Sequence, residues 1–206
     1  TTIDGGGPGV GQSAVTFRTG EGPGSVLQGF SVMNGYGPLN VSLGLTEGGG
    51  VYIDSASPTI RDCVILRNQA DLGAGLFGSN ASPRIEDCVL TSNIWSFNGS
   101  GGGAWFSGGS PLFDDTVVEL NGMANWGGGL YFNGSQPSLV RTTVRNNYTN
   151  FFDGGGVYLF GCPLASFVDC TPSANRCLDG GVGAGLAAET PTGPATRGPG
   201  EAHFGE

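Results

Sequence analysis

One motif recurs along the chain, and this repetition constrains the fold more than any other feature of the sequence. The clearest copy spans residues 48–68 and contains three glycines, an apolar–aromatic–apolar triplet, a Ser-Pro pair and a closing asparagine. Further copies begin at Gly73, Gly101, Gly127 and Gly154, and their prolines recur at intervals of 25 to 28 residues. A fixed period of this length is typical of solenoids, in which each copy forms one turn, or rung, stacked on the next.

The apolar runs within each copy predict strands. They are three to five residues long and are separated by Gly, Ser-Pro and Asn corners, so they are too short for helices. Stacked copies would pair each strand with its equivalent in the next rung and enclose a continuous apolar interior. We therefore predict an all-β fold, a parallel β-helix with about six rungs.

Three segments follow from where the period holds. Residues 1–177 are predicted to form the β-helix, beginning with an irregular first rung over residues 1–47 that carries an inserted corner loop at 35–47. Residues 178–206 lose the period and become rich in proline and glycine, which predicts a tail or an assembly segment.

Stacking places equivalent residues of successive rungs in columns. An interior asparagine ladder, in which stacked amides bond to one another, is predicted for Asn34, Asn68, Asn93, Asn121 and Asn147. An aromatic column, directed outward if its aliphatic neighbours point inward, is predicted for Tyr52, Phe77, Trp105, Tyr131 and Tyr158.

A second aromatic set lies in the loops that follow the asparagines. These residues are Trp95, Phe97, Trp126, Tyr148, Phe151 and Phe152. Loops at one corner of consecutive rungs lie side by side, so these rings could form a surface for a polysaccharide or a surface protein. The alternative is that the loops pack on one another.

The cysteines and acidic residues each leave two interpretations open. Cys63 and Cys88 share a repeat position and are expected to fill the core, whereas a disulfide is expected among Cys162, Cys170 and Cys177. The acidic columns could supply a hydrolytic carboxylate pair or weak Ca²⁺ ligands, or they could form an ion ladder with nearby arginines. They comprise Asp62, Glu86, Asp87, Asp114 and Asp115. The ion ladder is favoured, and no resident cofactor or metal is expected.

The overall charge argues against nucleic acid and anionic membranes as partners. The net charge is −9, lysine is absent, and His203 is the one histidine. No apolar run is long enough to predict a membrane span.

The repeat also resembles a known group of proteins. The stretch GGGVYIDSASPTIRDCVILRN and its successors, preceded by TIDGGG and GEGPGSVLQGFSVMNGYG, resemble the right-handed parallel β-helix repeats of bacterial cell-surface proteins. These repeats share the pectate-lyase-like architecture and are similar to polymorphic outer-membrane protein repeats. The resemblance implies right-handed winding and an extracellular or cell-surface location.

Function is less constrained than fold, because this architecture carries lyases, hydrolases, epimerases, adhesins and structural proteins. The expected function is a non-catalytic structural or adhesive component that self-associates end to end into a filament or surface layer. The alternative is a carbohydrate-binding or polysaccharide-degrading protein, and a weaker possibility is a segment of a virion or phage fibre.

Overall fold

The chain forms a parallel β-solenoid of about six turns. The computed structural model describes residues 1–8, 11–94, 99–179, 181 and 183–190. These residues contain strands, turns and bends but no helix. The prediction of an all-β fold with stacked parallel sheets is confirmed.

Each rung contributes one strand to each of three sheets, in a fixed order along the chain. Sheet 1 contains Val15–Phe17, Val51–Asp54, Leu76–Ser79, Ala104–Ser107, Leu130–Asn133, Val157–Phe160 and Leu186–Glu189. Sheet 2 contains Val26–Gln28, Thr59–Arg61, Arg84–Glu86, Leu112–Asp114, Ser138–Val140 and Ser166–Val168. Sheet 3 contains Thr2–Asp4, Ser31–Met33, Val64–Leu66, Val89–Thr91, Val117–Glu119, Thr143–Arg145 and Thr171–Ser173. Corner strands Tyr148–Thr149 and Arg176–Cys177 pair beside these sheets.

The core lies between the three sheets and consists of stacked columns. In sheet 2, Ile85 lies opposite Ile60 on one side and Phe113 on the other, and all three side chains are buried. Phe106 and Phe132 pack edge-to-face against Phe113, with ring centroids 6.0 and 6.1 Å away. Gly78 makes room for this cluster, since a Cβ atom there would lie 2.2 Å from the Phe106 ring.

The corner between sheets 2 and 3 has a left-handed backbone. Asp62, Asp87, Asp115, Arg141 and Asp169 occupy this corner with φ between 47° and 53°. Asp tolerates this conformation better than most residues, because its short side chain can bond locally to the backbone. Backbone conformation therefore accounts for much of the acidic character of this column.

The insertion in the first rung is an antiparallel hairpin. Leu39–Asn40 pairs with Leu45–Thr46, and the Asn40 side chain closes the turn by accepting bonds from the Ser42 and Leu43 amides. Asp71 in the next rung accepts hydrogen bonds from the Thr46 amide and hydroxyl. These bonds hold the hairpin against the corner that follows sheet 3.

Sheet 1 continues into the segment predicted to be a tail. Leu186–Glu189 pairs in parallel with Val157–Phe160, so the solenoid extends beyond residue 177. Residues 191–206, which form most of that segment, lie outside the described residues.

Candidate functional site

The asparagine ladder forms a continuous hydrogen-bonded column in the interior. Asn93, which is 0% exposed, donates from Nδ2 to Ile65 O and to Asn121 Oδ1 at 2.9 and 3.1 Å. Its Oδ1 accepts from the backbone amide and from Nδ2 of Asn68. Asn121 and Asn147 repeat this pattern. The full bonding capacity of each of these three amides is used, so the ladder is structural.

The ladder begins and ends elsewhere than predicted. The residue before each ladder asparagine has a left-handed backbone, as Arg67 does with φ 54°. Asn34 lies opposite Arg67 in the register and has φ 57°, so it occupies this preceding position and not the ladder position. Gly35 takes the ladder position, and its amide donates to Asn68 Oδ1. At the other end Asn175 accepts from Asn147 and donates to Val144 O, so it belongs to the ladder. Asn175 was not predicted because it follows Pro163 by twelve residues and not by ten.

The aromatic column forms a stacked ladder along the outer side of sheet 1. Consecutive rings from Tyr52 through Phe77, Trp105 and Tyr131 to Tyr158 lie 5.0 to 6.0 Å apart and within 14° of parallel. The neighbouring Val51 and Ile53 are fully buried on the inner side. Burial raises the pKa of Tyr131 to about 12, so these phenols stay neutral at physiological pH.

Two of the described corner-loop aromatics pack on each other, and the other described ones do not form ring pairs with them. Trp126 stacks on Phe152 with ring centroids 4.4 Å apart, and Phe151 remains 43% exposed. Tyr148 lies against Gly122, where a Cβ atom would be 2.4 Å from its ring. Trp95 and Phe97 lie outside the described residues, so their part of the predicted surface stays a prediction.

Arginines pair with several of the candidate acidic residues. Arg141 forms ion pairs with Asp114 and Asp115, and Arg84 pairs with Glu86 at 2.7 Å. The hydrogen bond from Arg141 lowers the pKa of Asp115, which therefore stays ionised. Within the described residues no group of three or more Asp, Glu, His or Cys side chains is arranged to hold a metal ion.

None of the five cysteines forms a disulfide, so the bond expected among Cys162, Cys170 and Cys177 is absent. These residues belong to different columns. Cys170 Sγ donates to Leu139 O as Thr142 Oγ1 donates to Phe113 O one rung earlier. At another corner, Cys162 Sγ donates to Phe132 O as Ser135 Oγ donates to Phe106 O one rung earlier.

Cys63 and Cys88 occupy the same column as Cys170 and are 1% exposed, as expected for core residues. A hydrogen bond with Cys63, together with burial, raises the pKa of the Cys88 thiol. The cysteines in this column therefore act as substitutes for hydroxyl side chains.

A cleft of about 550 Å³ lies at the first aromatic ring of the ladder. Its walls come from the first rung, the hairpin and the second rung. The lining residues are Gln12, Thr16, Arg18, Thr19, Glu21, Pro38, Leu39, Asn40, Glu47, Tyr52 and Asp54. Thr16 lies opposite Tyr52 in the register, so among the described strands no ring continues the ladder on that side of Tyr52. The aromatic ladder thus ends inside the cleft.

The cleft carries one arginine and three carboxyl groups. Glu47 is 7% exposed and accepts a hydrogen bond from Asn40 Nδ2 at 2.8 Å. Burial, reinforced by the charge of Asp54, raises the pKa of Glu47. Burial and the charges of Glu47 and Asp54 also raise the pKa of Tyr52. Sequence reasoning missed Glu47 and Asp54 because the hairpin that creates the cleft lies outside the periodic pattern.

The two described ends of the solenoid expose different features. At the last rung Phe167 lies below the buried Leu139 yet is 36% exposed, because the described residues contain no further strand of sheet 2 to cover it. Val168, Leu164 and Leu178 nearby are 48 to 65% exposed. At the first rung Ile3, Val15 and Phe17 are only partly buried against the core. Within the described residues, inward-facing side chains at both ends are therefore partly exposed.

Comparison with protein-family models, with curated proteins and with solved structures gives no significant match. The fold assignment therefore rests on the strand register, and the resemblance to pectate-lyase-like and outer-membrane repeats stays a prediction. Among the described residues there is no helix that could cross a membrane.

Proposed function

We propose that this chain is a non-catalytic structural or adhesive protein of the cell surface or extracellular space that self-associates end to end. The observation that carries the proposal is the exposed interior column at the last rung, where Phe167, below the buried Leu139, is 36% exposed. Solenoids need covered ends, since an open end leaves unpaired backbone groups and apolar side chains in contact with water. A second copy is a covering surface of matching shape.

The ladders of the middle rungs support a structural role. Their asparagine amides are bonded to one another, their aromatic rings are stacked, and Arg84 and Arg141 pair with carboxylates. Side chains committed to such contacts stiffen a rod and are not free to act on a substrate. A rigid last rung presents its strands and side-chain columns in fixed positions to the next copy.

Electron microscopy and analytical ultracentrifugation over a concentration series test this proposal. We expect the average mass to rise with concentration and rods longer than one solenoid to appear. A Phe167→Asp substitution should suppress association, because it places a charge in the open column, whereas Phe151→Asp on the corner loop should not. A single monomeric species at every concentration would overturn the proposal.

Carbohydrate binding is the second candidate, and the open side of Tyr52 in the cleft favours it. A sugar ring could continue the aromatic ladder there, with hydroxyl groups bonding to Asn40, Glu47 and Asp54. The excess of carboxyl groups over arginine favours neutral sugars over acidic polysaccharides.

A screen against neutral and acidic oligosaccharides, followed by saturation-transfer NMR, tests this candidate. Tyr52→Leu should weaken binding of a neutral sugar about tenfold. The matched Tyr131→Leu, placed inside the ladder, should leave it unchanged. Absence of binding by any neutral sugar would exclude this function.

A further inference from the structure

The two described ends of the solenoid are offset by one strand. At the first end, sheet 3 begins one strand before the others, with Thr2–Asp4. At the last end, sheet 1 runs one strand beyond the others, with Leu186–Glu189. A copy that continues sheet 3 with its Thr2–Asp4 strand therefore brings its Val15–Phe17 strand beside Leu186–Glu189. The offset selects one vertical position for a stacked copy.

The backbone and the side chains of sheet 1 agree with this position. Gly161 N donates to Glu189 O, so by alternation along the strand Leu186 and Ala188 direct their backbone groups away from the molecule. At the first end Val15 N donates to Gly50 O, which leaves the backbone groups of Thr16 and Arg18 directed outward. Pairing Leu186 with Val15 would let these two sets of outward-directed backbone groups bond to each other. It would also place the side chains of Leu186 and Ala188 over those of Val15 and Phe17. All four of these side chains face the core.

The same register sets opposite charges against each other. Arg18 follows Phe17 and lies in the column of Asp54, Ser79, Ser107, Asn133, Phe160 and Glu189. Glu189 of one copy would therefore lie beside Arg18 of the next. Both residues are exposed in the single chain. This is the directly opposite position at which cross-strand charges interact most strongly.

Sheets 2 and 3 contribute less to the contact. In the last strand of sheet 3, Pro172 is the residue whose backbone groups point toward the next copy. Its carbonyl can accept a hydrogen bond, but it has no N–H to donate. In sheet 2 the stack leaves one strand position open between Ser166–Val168 and Val26–Gln28 of the next copy. The Phe167 side chain then faces this gap inside the junction, where an aspartate would be enclosed without a partner. Sheet 1 therefore determines the register.

We propose that copies of this chain stack head to tail with the Leu186–Glu189 strand of one copy beside the Val15–Phe17 strand of the next, and with Glu189 against Arg18. The inference rests on the proposed self-association and specifies its interface. It makes the assembly polar, because each junction joins a last rung to a first rung.

A charge-exchange experiment tests the register. Arg18→Glu alone places two glutamates at every junction, and Glu189→Arg alone places two arginines there. Each variant should associate about tenfold more weakly than the unaltered chain. An equimolar mixture of the two should recover association, because alternating copies pair Arg with Glu at every junction. Arg61→Glu, an exposed exchange on sheet 2, serves as the control and should associate normally.

The outcomes separate this inference from the function on which it rests. Recovery on mixing, read by sedimentation velocity in low salt, supports the register. If the chain assembles and neither charge variant weakens assembly, the register is wrong and the proposed function stands. If the unaltered chain does not assemble, both are wrong.

Discussion

At the residue scale, asparagine suits the buried ladder because its amide has two donors and two acceptor sites. Asn121 uses all four: Nδ2 donates to Leu90 O and Asn147 Oδ1, and Oδ1 accepts from the amide and side chain of Asn93. A hydroxyl side chain could not span both neighbouring rungs, and a carboxylate would place a charge in the interior. The ladder is therefore specific for one residue type.

Asn121→Ala should lower the free energy of unfolding by roughly 3 kcal/mol, because it leaves several buried polar groups without partners. Urea denaturation monitored by circular dichroism measures the change. The matched Asn133→Ala, on the half-buried outer side of sheet 1, should cost much less. Equal losses in the two variants would show that the ladder contributes no special stability.

Leu120 is poorly suited to its position. It has φ 56° and is 50% exposed, so it combines a strained backbone with apolar surface. Leu120→Asn should raise the free energy of unfolding by about 0.5–1 kcal/mol, since Asn visits this region of φ/ψ space more readily. Leu43→Asn, at an exposed hairpin position outside the positive-φ residues, is the control and should change stability little. A loss of stability in Leu120→Asn would contradict the argument from strain.

Sequence spacing predicted most ladder residues and misplaced one for a physical reason. The left-handed residue just before the ladder can also be asparagine, as Asn34 and Asn146 show, so residue type alone does not distinguish the two positions. The interval from the inward-facing strand residue does distinguish them. Asn68 follows Ile65 by three residues, Gly35 follows Val32 by three, and Asn175 follows Pro172 by three.

At the element scale, each strand gains stability from its two neighbours in the stack. Tyr131 has rings on both sides, at 6.0 Å from Trp105 and 5.3 Å from Tyr158. Tyr52 has Phe77 at 5.2 Å on one side and Thr16 opposite it on the other. Tyr131 is therefore an interior member of the aromatic ladder, and Tyr52 is its terminal member.

Tyr131→Leu should cost more than Tyr52→Leu by about 1 kcal/mol, the value of one additional ring pair. Thermal and urea unfolding of the two variants measure the difference. A double variant provides the control, and its loss should be the sum of the single losses because Phe77 and Trp105 separate the two sites. Equal losses in the single variants would show that ring stacking adds nothing to burial.

Periodicity predicted which strands pair, because like residues in successive copies must stack. It gave no information on the antiparallel hairpin at Leu39–Thr46, since an insertion has no equivalent in the other rungs. The cleft depends on that hairpin and therefore could not be predicted. The expected disulfide was wrong because proximity in sequence placed Cys162 and Cys170 in one rung but in different columns.

At the scale of the whole molecule, the free energy of unfolding should depend on pH through two carboxyl groups whose pKa values are shifted in opposite directions. The pKa of Glu47 is raised by burial, so the folded chain binds this proton more tightly than the unfolded chain does. Its contribution is present below the unfolded pKa and is lost as pH rises through the folded pKa. Asp115, whose pKa is lowered by Arg141, contributes above its unfolded pKa and loses that contribution on acidification.

Glu47→Gln should therefore be more stable than the unaltered chain near neutral pH, and the gain should shrink as pH approaches about 4. The amide oxygen of Gln can still accept the hydrogen bond from Asn40. Asp115→Asn serves as the control of opposite sign and should lose stability at neutral pH but not in acid. Urea unfolding across the pH range measures both, and a pH-independent effect of Glu47→Gln would contradict the raised pKa.

The asparagine ladder also gives the rod an electrical direction. The side-chain oxygens of Asn93, Asn121, Asn147 and Asn175 all accept from the preceding rung, so the amide carbonyls point toward the first rung. Their dipoles add along the axis as peptide dipoles add along a helix, with the positive pole toward the last rung. Two rods that met by like ends would oppose these dipoles, whereas rods laid in one direction would sum them.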